Sequence, residues 1–362
     1  MSNKTILISA GGTGGHMSPA AALAKELIIR GHRVELATDD RGQKYTKMFP
    51  DIPVHVIKSG TAFAGIMGKI KGGLNLTLGI MKGLGVVRRI KPDIVVGFGG
   101  YPCVPAVFAA QLKGVPTGLH EQNAVLGKAN KFLARKARFI ALSLIPQGEL
   151  KGRMSRKMAV TGNPVRPEII ALKDLAYPAI AQDGVINILV MGGSLGATVF
   201  SKVVPKALSS LPDHFKKRVR VVQQCRDVDL GDARALYDEA DIDAELASFF
   251  DDVAGELSKA HLFIGRSGAS TVAEISIAGR PAIYVPYPHH KDQQQKKNAQ
   301  GVADKGGAWI MNENQFTPDA LLERLGMILD NTETLSRAAV HAKECGLPDA
   351  AQKLADLVLK KS

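Results

Sequence analysis

Apolar residues in this chain come in short runs that end in glycine and give way to longer stretches with helical spacing. The opening TILISAGGTGGHMSPAAALAKELIIRGHRVELAT (residues 5–38) has an apolar run at 5–9, a glycine-rich turn, a helical stretch and a second apolar run. That order predicts strand, turn, helix, strand, the unit from which parallel sheets are built. NILVMGGSLGATVFSKVVPKAL (187–208) repeats the opening, again passing from an apolar run through paired glycines into a helical stretch. Further strands are expected at 54–57, 94–96, 117–120 and 139–142, then at 219–223, 262–264, 281–285 and 308–310, and a helix at 349–360. Between the halves, TGNPVRP (161–167) sets two prolines and a glycine where regular structure stops. The pattern predicts an α/β fold of two Rossmann-like parallel-sheet domains facing a cleft.

A length of 362 residues exceeds what one hydrophobic core usually serves, in keeping with two domains. Charge separates the halves: residues 1–166 hold 25 Lys and Arg against 8 Asp and Glu, whereas 167–362 hold 22 against 26. The net charge of +13 therefore originates in the first half, where it favours an anionic membrane surface or a phosphorylated substrate. No nucleic-acid-binding motif accompanies it, and six Tyr, twelve Phe and one Trp leave little for base stacking, so no nucleic acid partner is expected. The stretch 52–92 has no acid but carries Lys58, Lys69, Lys71, Lys82, Arg88, Arg89 and Lys91. Ile66, Ile70, Leu74, Met81 and Leu84 form an apolar stripe among them, a pattern for lying on an anionic leaflet. Its glycines lower helix propensity and predict that part of the stretch is loop; an ordinary core helix with a basic rim would carry the same residues. The uncharged run 94–112 has the length of a membrane span, but its glycines and prolines fit strand, loop and helix better. Cys103, Cys225 and Cys345 have neither zinc nor redox spacing and suit a reducing cytoplasm. The first residues enter a strand without the apolar core and cleavage site of a signal peptide.

Candidate chemistry is densest in GRSGASTVAEISIAGRPAIYVPYPHHKDQQQKKNA (265–299). Gly265, Ser267 and Gly268 mark a strand passing into a helix. Backbone donors at Ala269, Ser270 and Thr271, followed by Val272 and Ala273, would then sit at a helix N-terminus, where the macrodipole favours a diphosphate. Glu274, one turn further in, could accept both hydroxyls of a ribose. Beyond the next strand, Asp292, Gln293, Gln294 and Gln295 offer an acid and amides suited to sugar hydroxyls. A buried strand, a helix capped by Ser267 and a solvated polar loop would use the same letters.

In the first half, GGTGGH (11–16) and GFGGY (97–101) each follow an apolar run, and together they could hold a second diphosphate. The former lacks the third glycine of the dinucleotide fingerprint, Met17 standing in its place, which weakens a dinucleotide reading. HEQN (120–123), GNPVR (162–166), GGSLG (192–196) and FFDD (249–252) follow along the chain. In this order the stretches resemble the GT-B glycosyltransferases and, closely, the MurG family, which adds N-acetylglucosamine to lipid I in peptidoglycan synthesis. The resemblance runs from Ala10 to Ala299.

It implies a GT-B fold with an acceptor and membrane domain at 1–164 plus about 345–362, the last helix crossing back onto it, and a UDP-sugar domain at 165–344. It implies inverting transfer of N-acetylglucosamine from UDP-N-acetylglucosamine to the 4-hydroxyl of lipid I, giving lipid II, by a peripheral enzyme on the cytoplasmic face of the bacterial plasma membrane. No cofactor or metal is expected, because helix N-termini and backbone amides can take the diphosphate charge. The acid pairs Asp227 with Asp229 and Asp241 with Asp243 lie in an acidic, helix-like stretch expected to be a solvated face. Carried over residue by residue, the donor site comprises Thr13, Gly14, Gly15, Asn123, Arg166, Ser194, Phe250, Ala269, Ser270, Thr271, Val272, Ala273, Glu274, Gln294 and Gln295. Asn123 is expected at the sugar, Arg166 at the uracil, and Phe250 stacked on it where the family usually has an aliphatic residue. Leu195 stands where the family commonly has glutamine. The acceptor diphosphate falls to Gly12, Gly14, Gly15, Gly99, Gly100 and Tyr101. His16 is the candidate base, since an imidazole titrates near neutral pH, and Glu121 is the rival base; His120 is expected to be structural. Two alternatives stay open: a UDP-sugar epimerase or hydrolase of similar fold, and a noncatalytic basic module for membranes or nucleic acid.

Overall fold

The apolar runs become thirteen strands among the described residues, and every paired neighbour is parallel. In chain order they are β1 (Thr5–Ser9), β2 (Arg33–Thr38), β3 (Val54–Val56), β4 (Ile94–Gly97), β5 (Thr117–Glu121), β6 (Phe139–Leu142), β7 (Met158–Val160), β8 (Ile186–Met191), β9 (Val219–Gln224), β10 (Asp243–Ala247), β11 (Leu262–Gly265), β12 (Ala282–Tyr284) and β13 (Ala308–Ile310). They form a seven-stranded sheet of order β3-β2-β1-β4-β5-β6-β7 and a six-stranded sheet of order β10-β9-β8-β11-β12-β13. The computed structural model describes residues 3–60, 66–145, 152–181, 184–193, 197–290 and 292–362, with the backbone alone described at 66–71 and 152–153. The chain divides into two compact units, Met1–Arg166 with Pro348–Ser362, and Pro167–Leu347.

Each sheet is covered on both faces, which is why its inner strands read as continuous apolar runs. In the first unit Ile6, Ile8, Ile94 and Val96 pack with Met17, Leu23 and Leu27 of helix Gly14–Ile29, and with Leu354 and Val358 of helix Ala350–Lys361. Leu7 and Val95 point the other way, onto Val107 and Ala110 of helix Gly100–Leu112 and Val86 and Val87 of helix Ile66–Ile90. The C-terminal helix thus completes the core of the unit that the chain left at Arg166, before the second unit Pro167–Leu347. Leu354 is fully buried there. Leu354→Ala is expected to lower unfolding stability by about 2–5 kcal/mol, read from the urea midpoint of the full chain. In the second unit Ile188, Val190, Ile264 and Ile283 pack with Phe200, Val204 and Leu208 of helix Thr198–Ser209 and with Leu321, Leu325 and Ile328 of helix Pro318–Leu329.

Three expectations are corrected. Residues 66–90 form one continuous helix rather than helix and loop. A Cβ on Gly79 would lie 2.1 Å from the Lys58 carbonyl oxygen, and one on Gly83 would lie 3.0 Å from that of Pro105, so these glycines allow close helix packing that offsets their low propensity. The acidic stretch is not helical throughout: Asp227–Asp229 is a 3-10 turn leading into helix Leu230–Glu239, and Asp243 opens β10. On that edge strand Asp243 pairs with Arg220 of β9 at 3.4 Å. Strands β7 and β10 were not expected from the pattern, since one has three residues and the other alternates exposed acids with half-buried alanine and leucine.

Candidate functional site

In the first unit the chain leaves β1 towards β2 and β3, then returns to β4 on the other side of β1, with Ser9 opposite Gly97. Loops at such a reversal open side by side at the carboxyl ends of the strands, where ligands of parallel sheets bind. Here they are the two glycine loops, and they touch. A Cβ on Gly11 would meet Pro102 at 2.7 Å, and one on Gly100 would meet His16 Cε1 at 3.3 Å. Gly99 and Gly100 hold φ of 79° and 70°, a backbone that side chains resist. Asp39, at the end of β2, ties the first loop down. Its Oδ1 accepts from the Gly12 and Gly42 amides at 2.9 and 3.0 Å, and its Oδ2 from Arg41 and Ser59 at 3.3 and 3.2 Å. Helices Gly14–Ile29 and Gly100–Leu112 start at Thr13 and Gly99 without a side-chain cap. Their first turns are left to a ligand or solvent, as an anion site requires. Tyr101 is 48% exposed beside them.

His16 is the third residue of its helix and half-buried, with Nδ1 3.3 Å from Thr13 Oγ1. Burial pushes its pKa below the ordinary imidazole value; Arg41 adds to this, while the Gly11 carbonyl and Asp39 oppose it. The shift favours the neutral ring, the form that a general base needs. His120 is wholly buried on β5, where burial lowers its pKa to about 4. Its Nε2 donates to the Gly162 carbonyl at 3.1 Å and its Nδ1 accepts from the Gln122 amide at 3.1 Å, a structural role. Glu121 is 3% exposed, and burial raises its pKa. Both of its oxygens are engaged: Oε1 by the backbone and side-chain amides of Asn123 at 3.1 and 3.4 Å, Oε2 by the Gly127 N–H at 2.8 Å and the Asn130 amide at 2.9 Å. That carboxylate organises the loop carrying Asn123. Arg166, half-buried, ends this part of the unit.

The second unit repeats the device. β8 and β11 are neighbours at the reversal, with Met191 opposite Gly265. Of the loop after β8, Ser194, Leu195 and Gly196 lie outside the described residues. The loop after β11 leads into helix Ala269–Ile277, whose N-cap is Gly268 without a side-chain cap bond. Ser267 does not cap it: its hydroxyl is buried without a hydrogen-bond partner, and its carbonyl accepts from Asn298 at 3.2 Å. Ala269, Ser270, Thr271, Val272 and Ala273 form the first turn, with half-buried Glu274 directly after. Asn298 belongs to helix Gln294–Asp304, which begins with Gln294 and Gln295 and buttresses this turn. Phe250 is half-buried, whereas Phe249 is 71% exposed. Among the described residues no cluster of three or more His, Cys, Asp or Glu is placed to hold a metal ion.

Sequence reasoning missed Asp39, Asn130, Asn298 and Arg266. Each has at least one partner nine or more residues away, which no local spacing marks; only the position of Arg266 within the glycine turn was a signal.

The chain matches the glycosyltransferase family 28 N-terminal domain over residues 6–142 and the family 28 C-terminal domain over 187–354. It is 49% identical to the UDP-N-acetylglucosamine–N-acetylmuramyl-(pentapeptide) pyrophosphoryl-undecaprenol N-acetylglucosamine transferase of Rhodospirillum centenum, covering 99% of this chain and 95% of the relative. The enzyme of the same name from Paramagnetospirillum magneticum is 46% identical, over 98% and 96%. The crystal structure of Acinetobacter baumannii MurG superposes with a TM-score of 0.81 at 31% identity, covering 99% of both chains. UDP-GlcNAc 2-epimerase from Neisseria meningitidis, at 15% identity and a TM-score of 0.68 over 98% of this chain and 100% of that one, shares the fold alone. With these likenesses spanning both units and all the glycine loops, the chain belongs to the MurG family of GT-B glycosyltransferases.

Proposed function

We propose that the protein transfers N-acetylglucosamine from UDP-N-acetylglucosamine to the 4-hydroxyl of lipid I, with inversion at the anomeric carbon, giving lipid II and UDP. The near full-length identity with enzymes named for that transfer carries the reading. Its chemistry follows from three uncapped helix starts, one in the second unit and two in the first. In the second unit, the first-turn amides of helix Ala269–Ile277 take the donor diphosphate and stabilise the charge that grows as UDP leaves. Glu274 grips the ribose, Gln294 and Gln295 read the sugar, and Phe250 stacks on the uracil. In the first unit, the paired loops at Gly12, Gly14, Gly15, Gly99, Gly100 and Tyr101 take the diphosphate of the acceptor. His16 stands against Gly100 in its neutral form and removes the proton of the attacking hydroxyl. Glu121 holds the loop that carries Asn123 and is a positioning residue. UDP release that depends on lipid I tests the whole reading.

The acceptor is a lipid, so the enzyme works against a membrane, and helix Ile66–Ile90 supplies the surface. Leu74, Leu78 and Met81 are 59%, 49% and 63% exposed on one face. Lys82, Arg88 and Arg89 are exposed beside them. No helix among the described residues is long and apolar enough to cross a membrane, and this face is of the kind that lies in the headgroup layer. Each cation near an anionic surface contributes about 1 kcal/mol. Replacing Lys82, Arg88 and Arg89 by Glu should weaken binding to phosphatidylglycerol vesicles by at least about two orders of magnitude; undiminished co-sedimentation would exclude this face.

A further inference from the structure

The described residues between β12 and helix Gln294–Asp304 have no regular structure, yet they lead into the two amides assigned to the sugar. What fastens it is Arg266, which sits one residue before Ser267 in the diphosphate turn. Its Nη1 donates to the carbonyls of Val285 and Pro286 at 3.0 and 3.3 Å. Its guanidinium lies 5.5 Å from the Tyr287 ring centre and 5.3 Å from that of Phe200, and it pairs with Glu313, next to β13. The side chain is 11% exposed. Tyr287 passes the constraint on. Its backbone N–H donates to Gln295 Oε1 at 2.9 Å, and its ring packs edge-on against His290, 5.0 Å between centres. The Gln294 side-chain nitrogen bonds His290 Nδ1 at 3.0 Å.

These contacts decide which way each amide faces. Gln295 has one lone pair of its oxygen on the Tyr287 N–H, which turns its NH2, with both hydrogens, to the other side; Gln294 has one hydrogen of its NH2 on His290, which turns its oxygen, with both lone pairs, away from that ring. An acceptor and a donor on consecutive residues match two neighbouring hydroxyls of a pyranose, whose stereochemistry they would read. A planar guanidinium that bonds two carbonyls, pairs with a carboxylate and lies over two rings cannot be replaced by a lysine ammonium.

We propose that Arg266 is a positioning residue for donor-sugar specificity: it locks the Pro286–Tyr287 backbone to the diphosphate turn and thereby fixes the orientation of Gln294 and Gln295. This rests on the donor site proposed above. The test compares Arg266→Lys and Glu313→Gln with the parent by calorimetry, measuring Kd for UDP, UDP-N-acetylglucosamine and its 4-epimer UDP-N-acetylgalactosamine. Expected is a UDP Kd within about twofold of the parent in both variants. The preference for UDP-N-acetylglucosamine over its epimer should shrink about tenfold in Arg266→Lys, the scale of one lost buried hydrogen bond, and less in Glu313→Gln. Unchanged preference in Arg266→Lys overturns the proposal, as does a parallel loss of UDP affinity in both variants, which would make Arg266 a support of the diphosphate turn alone. A parent that binds UDP no better than UMP would instead refute the donor site itself.

Discussion

Replacing His16 by alanine should lower turnover at least a hundredfold while the affinity for UDP-N-acetylglucosamine barely moves. A positioned general base contributes typically about 10²- to 10⁴-fold, and His16 is built for that role. It is on the first turn of helix Gly14–Ile29, its ring against Gly100 of the second glycine loop and Thr13 Oγ1 3.3 Å from Nδ1. The donor residues of the second unit are untouched by the change, so the effect belongs in kcat. His16→Asn separates basicity from hydrogen bonding: it keeps a polar group but cannot take the proton, and should be nearly as slow as alanine. Full turnover in His16→Asn at saturating substrates would move the base elsewhere. The pH profile gives a second check. Because burial lowers the His16 pKa, the neutral, active form persists as pH falls below the ordinary value of about 6.5. The acidic limb of kcat should therefore lie below pH 6.5 and vanish in His16→Asn.

Glu274→Ala should weaken UDP and UDP-N-acetylglucosamine binding alike, by tenfold or more, since losing one partner of a buried hydrogen bond costs about 1–3 kcal/mol. Glu274 follows the first turn of helix Ala269–Ile277, half-buried, where a ribose would lie if its diphosphate met the helix start. Gln295→Ala is the contrasting case: it should spare UDP and weaken only the sugar nucleotide. Calorimetric titration of the two variants with both ligands reads this directly. Equal UDP affinity in Glu274→Ala and the parent would remove Glu274 from the ribose.

How much of this was legible in the sequence depends on the range of each interaction. Inner strands such as β1, β4, β8 and β11 are buried on both faces, so Ile6 to Ile8 or Leu262 to Ile264 are written as unbroken apolar runs followed by glycine. Edge strands lack that imprint, and β10 hid its alternation of Asp243, Ala244 and Glu245 inside an acidic stretch. Helix Ile66–Ile90 was obscured by its own glycines, because the reason for Gly79 and Gly83 is the nearness of Lys58 and Pro105. The phosphate-binding character of both loops could be reasoned from strand, glycine and helix start. The ribose role of Glu274 could be reasoned from its place one turn into the helix, whereas the duties of Asn123 and Arg166 came from resemblance. Supports such as Asp39, which ties Gly12 to Gly42, and Arg266, which reaches Val285 and Glu313, join residues that only the folded chain brings together.

The central claim is sugar transfer to a lipid-linked acceptor, and the most direct measurement follows both products at once. The purified chain is given UDP-N-acetylglucosamine with and without lipid I in anionic vesicles, beside UDP-glucose and UDP-N-acetylgalactosamine as competing donors. Released UDP and newly glycosylated lipid are quantified together. The account predicts one UDP for each lipid II formed, negligible UDP release without lipid I, and slow transfer from the other donors. Equal UDP release without lipid I, or conversion of the donor to an epimer, would contradict it.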